Sequence, residues 1–228
     1  MMMLELKDIR KIFNQGKSSE LIAVDGVTIA IEAKKVTVLR GPSGSGKTTL
    51  LSLAGCMARP TSGRIMLGDR ELTSLPERFL TEIRRATFGF IFQQFNLVRG
   101  ITALENVMLP AYPLGGPHHE LTMRALELLD LFGIKARAAA RSEWLSGGEA
   151  QRTAIARALI NNPGVIIADE PTAHLDTKLS REFMEIVGRL REQGKTVIIA
   201  SHDPLVYDAP VIDRVISMRD GRLDGAEA

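Results

Sequence analysis

A glycine-rich segment at residues 41–49, GPSGSGKTT, constrains this chain more than any other feature. It fits the pattern G-x-x-x-x-G-K-[ST] and lies between an apolar run at 35–39, typical of a buried strand, and leucines at helical spacing over 48–57. Glycines at such a turn let backbone N–H groups surround a polyphosphate, and the start of the helix adds partial positive charge. Lys47 can reach the β- and γ-phosphates, and Thr48 can bind Mg²⁺. The segment therefore predicts a nucleotide-binding loop in an α/β fold.

Two adjacent carboxylates, Asp169 and Glu170, follow a second apolar strand pattern at 165–168. A helix pattern at 177–193 and another apolar strand at 196–200 complete a βαβ unit, so the sheet is predicted to be mostly parallel. Ligands bind such sheets at the carboxyl edge of the strands. At that edge Asp169 is suited to hold Mg²⁺, and Glu170 is suited to orient or deprotonate the water that attacks the γ-phosphate.

The rest of the pattern predicts one domain over residues 1–228 with two additions to the nucleotide-binding core. Partly alternating runs at 4–7, 21–24 and 27–31, the last two separated by the turn residues Asp25 and Gly26, predict short, largely antiparallel strands and thus an antiparallel β-subdomain. Helical and charged patterns predict an inserted α-helical subdomain at 76–160, with an exposed loop at 110–117. The core and the β-subdomain are assigned to 1–75 and 161–228. The predicted fold class is therefore α/β, a P-loop NTPase core with these two subdomains.

A third motif, Ser146-Gly147-Gly148-Glu149, opens a helix predicted at 147–160. One face of this helix carries an apolar stripe, formed by Ala150, Ala154, Ile155, Ala158 and Leu159. Ser146 and Glu149 have the spacing of a capping box, which would give the motif a purely structural role. Adjacent glycines before a helix can also present unpaired N–H groups to an anion. Both interpretations, a helix cap and a second phosphate-binding edge, remain open at this point.

Composition excludes several functional classes. The chain is 45% hydrophobic and 25% charged, which excludes disordered, collagen-like and membrane-spanning proteins. With 29 basic and 27 acidic residues, its charge is too close to neutral to argue for a nucleic-acid partner. A single cysteine excludes an internal disulfide, and no leader-like segment opens the chain, so a reducing cytoplasm is expected.

Taken together, the motifs resemble those of the ATP-binding subunit of ATP-binding cassette (ABC) transporters, and the resemblance covers nearly the whole chain. Residues 41–49 are similar to the Walker A loop of this family, residues 165–170 to its Walker B strand, and residues 145–149 to its signature motif. The motifs also occur in the order typical of the family. The resemblance implies an ATPase that uses ATP and Mg²⁺.

Four more residues acquire roles only through this resemblance. Gln93 is similar to the Q-loop glutamine, which contacts Mg²⁺ and responds to the membrane partner, and Asp176 lies in a D-loop-like segment. His202 resembles the switch histidine that contacts the γ-phosphate. Phe13 is positioned like the aromatic residue that stacks on adenine, although a core residue is the alternative.

The predicted site residues fall into four groups. The catalytic residues are Glu170, His202, Gln93 and Lys47; the metal ligands are Thr48, Gln93 and Asp169; the contacts to ATP are Phe13, Gly41, Pro42, Ser43, Gly44, Ser45, Gly46, Lys47, Thr48 and Thr49; and the contacts to the partner's ATP are Ser146, Gly147, Gly148 and Glu149, with Asp176 in the D-loop.

The resemblance also implies partners and a location. In this family two subunits pair head to tail, each ATP lies between Walker A of one and the signature motif of the other, and the motion drives transmembrane subunits. Because no apolar run here spans a bilayer, the permease is expected to be a separate chain and this subunit to be cytoplasmic, bound peripherally to the inner membrane face.

Within the family, the runs at 89–97 and 102–107 look most like the branch that serves lipoprotein release and macrolide export. That branch usually has Gly-Asn where this chain has Ala173-His174, and many members have Gln where Glu149 stands. The leading prediction is an exporter or lipoprotein-release ATPase. The alternative is a cell-division or scaffold ATPase that controls a membrane complex without moving solute.

Overall fold

The computed structural model describes residues 2–173 and 175–224 and contains both sheets that the sequence predicts. The strands are β1 (Met2–Phe13), β2 (Leu21–Glu32), β3 (Val36–Arg40), β4 (Ser62–Leu67), β5 (Arg70–Glu71), β6 (Phe88–Ile91), β7 (Val165–Asp169), β8 (Thr196–Ser201), β9 (Arg214–Arg219) and β10 (Arg222–Leu223). The helices are α1 (Lys47–Ala54), α2 (Glu77–Thr87), α3 (Ala103–Met108), α4 (His118–Leu131), α5 (Gly147–Leu159), α6 (Thr177–Glu192) and α7 (Pro204–Tyr207).

The larger sheet has the strand order β10-β9-β3-β8-β7-β6, and all neighbours except β10 and β9 are parallel. Side chains of β7 alternate between two apolar cores, because Val165 and Ile167 lie in one cluster and Ile166 and Ala168 in the other. Burial on both faces explains why these strands are continuous apolar runs in the sequence. Since β3, β7 and β8 are parallel, the segments that follow them meet at one edge.

The smaller, antiparallel sheet has the order β2-β1-β4-β5 and is built from longer strands than the sequence suggested. The two runs expected as separate strands at 21–24 and 27–31 form the single strand β2, whose pairing with β1 shifts register near Asp8 and Gly26. Both residues have positive φ, 46° and 67°. The turn-like residues that interrupt the sequence pattern lie at a β-bulge within one continuous strand, so the division into short strands was wrong.

The helical region contains α3, α4 and α5, joined by short 3-10 turns. The prediction of an exposed loop at 110–117 is partly wrong, since Leu109–Leu114 is a 3-10 helix in which Ala111 is buried. The start of the predicted helical lobe at residue 76 stays a prediction. Within that range, β6 is an edge strand of the parallel sheet, and Leu80 of α2 lies in the apolar core between the antiparallel sheet and one face of the parallel sheet.

Candidate active site

The glycine-rich loop leaves β3 and enters α1 as predicted, and two of its glycines touch neighbouring backbone. A Cβ on Gly41 would lie 2.2 Å from the carbonyl oxygen of Met218, and one on Gly46 would lie 2.4 Å from that of Ala23. Gly46 also has a φ of 98°. No L side chain fits such positions without moving the backbone, so the glycines fix the loop against β9 and β2.

The turn between β9 and β10, which the sequence patterns did not predict as part of the site, is hydrogen-bonded to the phosphate loop. The Gly221 N–H donates to the Ser45 carbonyl oxygen (3.1 Å), and the Asp25 N–H donates to the Gly221 carbonyl oxygen (2.8 Å). Arg222 Nε donates to Asp25 Oδ2 at 2.9 Å. The Asp-Gly dipeptide at 220–221 is a recognisable turn signal, but nothing local in the sequence indicates which loop the turn contacts.

Lys47 lies inside the loop with its side chain only 5% exposed. Its Nζ donates to the carbonyl oxygens of Gly41 (2.8 Å) and Pro42 (2.9 Å) and lies 3.7 Å from Glu170 Oε1. These contacts place an ammonium group beside the phosphate loop and one of the two predicted carboxylates. A cation in that position can compensate the charge of a bound polyphosphate.

The other predicted carboxylate, Asp169, accepts a hydrogen bond from Thr48 Oγ1 at 2.9 Å. Burial is the largest influence and raises the pKa of Asp169; the Glu170 charge raises it further, while the Thr48 hydrogen bond and Lys47 lower it. Asp169 and Thr48 together offer hard oxygen ligands, and Mg²⁺ commonly binds one or two such groups together with substrate phosphates. Within residues 2–173 and 175–224, no group of three or more His, Cys, Asp or Glu side chains is arranged to hold a metal ion.

Glu170 and His202 meet at the carboxyl ends of β7 and β8. His202 Nδ1 lies 3.0 Å from both carboxylate oxygens of Glu170. The Glu170 side chain is 12% exposed and that of His202 is 60% exposed. Glu170 also has a left-handed φ of 43°, and its N–H donates to the Ala200 carbonyl oxygen (2.9 Å). A carboxylate next to an imidazole is suited to accept and relay a proton.

A cavity of about 320 Å³ joins these groups to two more predicted residues, Phe13 and Gln93. Its lining includes residues 43–49 together with Glu170 and His202. Phe13 is 42% exposed, so the alternative of a core residue is wrong for it. Leu21, Ile22 and Ala23 also line the cavity and were not predicted, because their strand pattern gave no functional signal. An exposed aromatic ring beside a phosphate loop can stack on a purine base.

The signature residues form the capping box that their spacing predicts. Ser146 Oγ accepts from the Glu149 N–H (3.3 Å), and Glu149 Oε2 accepts from the Ser146 N–H (2.8 Å). A Cβ on Gly147 would meet nothing within 4 Å, so the glycine is not required by packing within this chain. No residue of 146–149 lines the cavity that contains the phosphate loop. A role in binding phosphate therefore stays a prediction.

The D-loop segment continues directly into α6. Asp176 is the N-cap of that helix, and its Oδ1 accepts from the Leu179 N–H at 2.9 Å. His174, for which the sequence allowed either a contact across a dimer or a surface position, lies outside the described residues. Of the predicted site residues, the structure brings together those of the phosphate loop with Phe13, Gln93, Asp169, Glu170 and His202, and leaves Asp176 and the signature residues away from the cavity lining.

Comparison with known proteins decides the family. The model of the ABC transporter family matches residues 24–173. The chain belongs to that family. It is 42% identical to an uncharacterized ABC transporter ATP-binding protein of Thermotoga maritima, over 98% of this chain and 94% of the relative. It is 44% identical to the macrolide export ATP-binding/permease protein MacB of Rhodospirillum rubrum, over 97% of this chain and 34% of the relative. The chain thus spans about a third of the length of its MacB relatives.

Solved structures agree with this assignment. The structure of a dimeric bacterial ABC transporter cassette matches with a TM-score of 0.90 and 38% identity, over 98% of this chain and 97% of that one. A dimeric ATP-binding cassette in a post-hydrolysis state, bound to ADP and Pi, matches with the same TM-score and identity. These similarities confirm the predicted fold class and branch, and as a member of the family the chain is an ATPase that uses ATP and Mg²⁺.

Among residues 2–173 and 175–224, no helix combines the length and the apolar character needed to cross a bilayer.

Proposed function

We propose that this chain hydrolyses ATP in a head-to-tail dimer and thereby drives a membrane permease. The observation that carries the catalytic part is the contact of the Glu170 carboxylate with His202 Nδ1, at 3.0 Å, beside the cavity that the phosphate loop lines. In this assignment Glu170 orients and deprotonates the attacking water, and His202 contacts the γ-phosphate and fixes the carboxylate.

The remaining groups of the cavity bind and orient the nucleotide. Lys47 and the N–H groups of the phosphate loop bind the β- and γ-phosphates, and the Phe13 ring stacks on adenine. Thr48 and Asp169 would hold Mg²⁺, together with Gln93, which lines the same cavity. When bound, the ion neutralises phosphate charge that develops during transfer. The residues supply positioning and electrostatic stabilisation, which are the main needs of phosphoryl transfer.

The position of the signature motif supports the dimer. Because residues 146–149 do not line the cavity of their own chain, a phosphate-binding role for them requires a second chain. Gly147 has open space around its α-carbon, which leaves room for a ligand from outside. The solved cassettes that resemble this chain are dimeric. In the proposed dimer Ser146, Gly147, Gly148 and Glu149 face the ATP of the partner subunit, and Asp176 lies at the interface.

A groove next to Gln93, the Q-loop residue, supports the proposal that this chain binds a permease. Its cavity of about 260 Å³ is lined by Phe90, Phe92 and three arginines, Arg84, Arg85 and Arg157, and none of the described residues in its lining is acidic. We define these five residues as the arginine groove. The phenylalanine rings and the partly exposed Arg84 and Arg85 suit a protein segment that carries apolar and acidic side chains. Arg157 is buried there and donates to backbone carbonyls of its own chain. The groove lies next to Gln93, so a docked permease segment could act on the nucleotide cavity.

The MacB relatives, named as combined ATP-binding and permease proteins, support an exporter or lipoprotein-release type of transporter for the proposed complex. The relative from Thermotoga maritima matches along nearly its whole length, which supports a permease encoded as a separate chain here. The subunit would then lie on the inner face of the cell membrane, held there by the permease.

The catalytic assignment is tested with Glu170→Gln. The amide cannot accept the proton of the attacking water, so ATP turnover should fall at least 100-fold while ATP affinity changes little. Trapped ATP should convert the variant from monomer to dimer in size-exclusion chromatography with light scattering. Unchanged turnover would remove Glu170 from the role of base.

The permease is tested by trapping Glu170→Gln with ATP in native membranes and identifying the proteins that purify with it in mild detergent. A permease with a large extracytoplasmic domain is expected. A cell-division protein in its place would instead support a scaffold ATPase, and the absence of any membrane partner would contradict the transport assignment.

A further inference from the structure

Gln151 is a buried polar residue in the second turn of α5 that the assigned chemistry does not use. Its side chain is 3% exposed, and its Nε2 donates to the carbonyl oxygen of Pro171 at 3.0 Å. Pro171 directly follows Glu170. A buried amide is costly unless it is hydrogen-bonded, so this contact is a defined feature of the core and not an incidental surface contact.

The backbone of Glu170, the residue directly before Pro171, has an unfavourable conformation. Glu170 has a φ of 43°, a region that residues other than glycine seldom adopt. On its N-terminal side the Glu170 N–H donates to the Ala200 carbonyl oxygen (2.9 Å). On its C-terminal side the hydrogen bond from Gln151 fixes the next carbonyl. The two bonds thus lie on either side of the Glu170 backbone, from which its side chain leaves the end of β7.

The helix that carries Gln151 is also fixed to α6. A Cβ on Gly148 would lie 3.0 Å from the Leu179 side chain, so the first turn of α5 approaches α6 closely. Arg152 Nη1 lies 3.5 Å from Glu182 Oε2, one turn further along both helices. The Gln151 amide therefore projects from a helix that is braced on a second side, which makes it a firm anchor for Pro171.

We propose that Gln151 is a positioning residue for ATP hydrolysis. Its amide fixes Pro171 and, through Pro171, the orientation of the Glu170 carboxylate towards the attacking water. The inference rests on the proposed function, because it requires Glu170 to act on that water. It adds a link between the helix that begins at the signature motif and the carboxylate of the nucleotide cavity in the same chain.

The test uses Gln151→Leu, which keeps much of the volume and removes the donor. Thr153→Val is the matched control, since Thr153 is also buried in α5 but its hydroxyl donates to Glu149 within the same helix (2.8 Å). For Gln151→Leu, kcat per folded molecule should fall about tenfold, the effect of one hydrogen bond, with ATP affinity within about twofold of wild type. Thr153→Val should keep the wild-type kcat.

A second variant, Gln151→Glu, separates positioning from packing. A protonated carboxyl can donate to the Pro171 carbonyl oxygen, whereas a carboxylate cannot. The ratio of its kcat to that of wild type should therefore be highest at acid pH and should fall as pH rises through the pKa of the new carboxyl group. A ratio that does not change with pH in the folded protein would show that a hydrogen-bond donor at position 151 has no part in turnover.

Three results would overturn the inference: an unchanged kcat in Gln151→Leu, an equal loss of kcat in Thr153→Val, or a pH-independent ratio for Gln151→Glu. Each leaves the proposed function intact as long as wild type hydrolyses ATP and Glu170→Gln does not. If wild type lacked turnover and Glu170→Gln formed no ATP-dependent dimer, the proposed function itself would fail.

Discussion

Two glycines of the phosphate loop provide a matched test of the loop geometry. Gly44 and Gly46 both have left-handed φ values, 80° and 98°. A Cβ on Gly44 would meet nothing within 4 Å, but a Cβ on Gly46 would lie 2.4 Å from the Ala23 carbonyl oxygen. Alanine therefore introduces the same backbone strain at both positions, and a steric overlap with β2 at Gly46 alone.

The expected losses of stability follow from these contacts. A left-handed conformation costs an alanine about 1–2 kcal/mol, which applies to both variants. The overlap at Gly46 is with backbone, which cannot rotate away, so overpacking adds about 1–3 kcal/mol. The free energy of unfolding should thus fall by about 1–2 kcal/mol in Gly44→Ala and by about 2–5 kcal/mol in Gly46→Ala. The smaller entropy of alanine in the unfolded chain affects both variants alike.

Urea unfolding of the nucleotide-free protein, followed by circular dichroism, measures the difference. Equal m-values in the variants and wild type would show that the midpoints report stability. Equal losses in the two variants would refute the argument, since they would mean that the contact between the loop and β2 is absent or readily relieved. A larger loss in Gly44→Ala would contradict the loop geometry itself.

Three further experiments, two of them on substituted proteins, test the electrostatics of the chain. Burial raises the pKa of Asp169 in the folded state, so the contribution of Asp169 to stability is full below the unfolded pKa, about 4, and is lost as pH rises through the folded pKa. Without Mg²⁺, Asp169→Asn should therefore be more stable than wild type at pH 7 but not near pH 3. Urea unfolding that shows no such gain at pH 7 would contradict this prediction. Burial raises the pKa of the Cys56 thiol to about 11, so labelling by a disulfide reagent at pH 8 should be about 100-fold slower than for a free peptide thiol until urea unfolds the protein, and rapid labelling would show an accessible thiolate. Lys47→Ala should weaken ATP binding measured by calorimetry about 100-fold, because the ammonium beside the phosphates is lost, and an unchanged affinity would remove Lys47 from the phosphate site.

The parts of the site that the sequence predicted are those with strong local signals. The phosphate loop has a fixed spacing of glycines, lysine and threonine, and its strand and helix lie directly on either side of it. Asp169, Glu170 and His202 follow apolar runs of strand length, and parallel strands bring their ends to one edge of the sheet. Local pattern and topology therefore suffice to place these side chains near one another.

Other contacts depend on residues far apart in the chain and have no local signal. The contact of Gly221 with Ser45 joins the turn before β10 to the phosphate loop, and the charges of Arg222 and Asp25 stabilise that junction. The hydrogen bond and charge of Arg222 lower the pKa of Asp25, with Arg10 adding to the effect. The β6 strand was hidden in a region of helical patterns, because four residues are too few for periodicity to identify a strand.

Helix α5 has both kinds of feature, one with a local signal in the sequence and others without. Its apolar stripe predicted a buried face, but not that Gln151, Thr153 and Arg157 would be buried as well. Each of these side chains donates to a backbone carbonyl: Gln151 to Pro171, Thr153 to Glu149, and Arg157 to Phe95 and Asn96.

These donors explain why the polar groups are tolerated, since burying them unpaired would be costly. They also give the helix a directional fit that apolar packing alone does not provide. The Arg157 bonds reach the segment just after Gln93, and the Gln151 bond reaches the residue just after Glu170. Directional bonds to two different loops leave little freedom for α5 to rotate or slide, so the position of its signature end relative to the nucleotide cavity is set by hydrogen bonding as well as by hydrophobic burial.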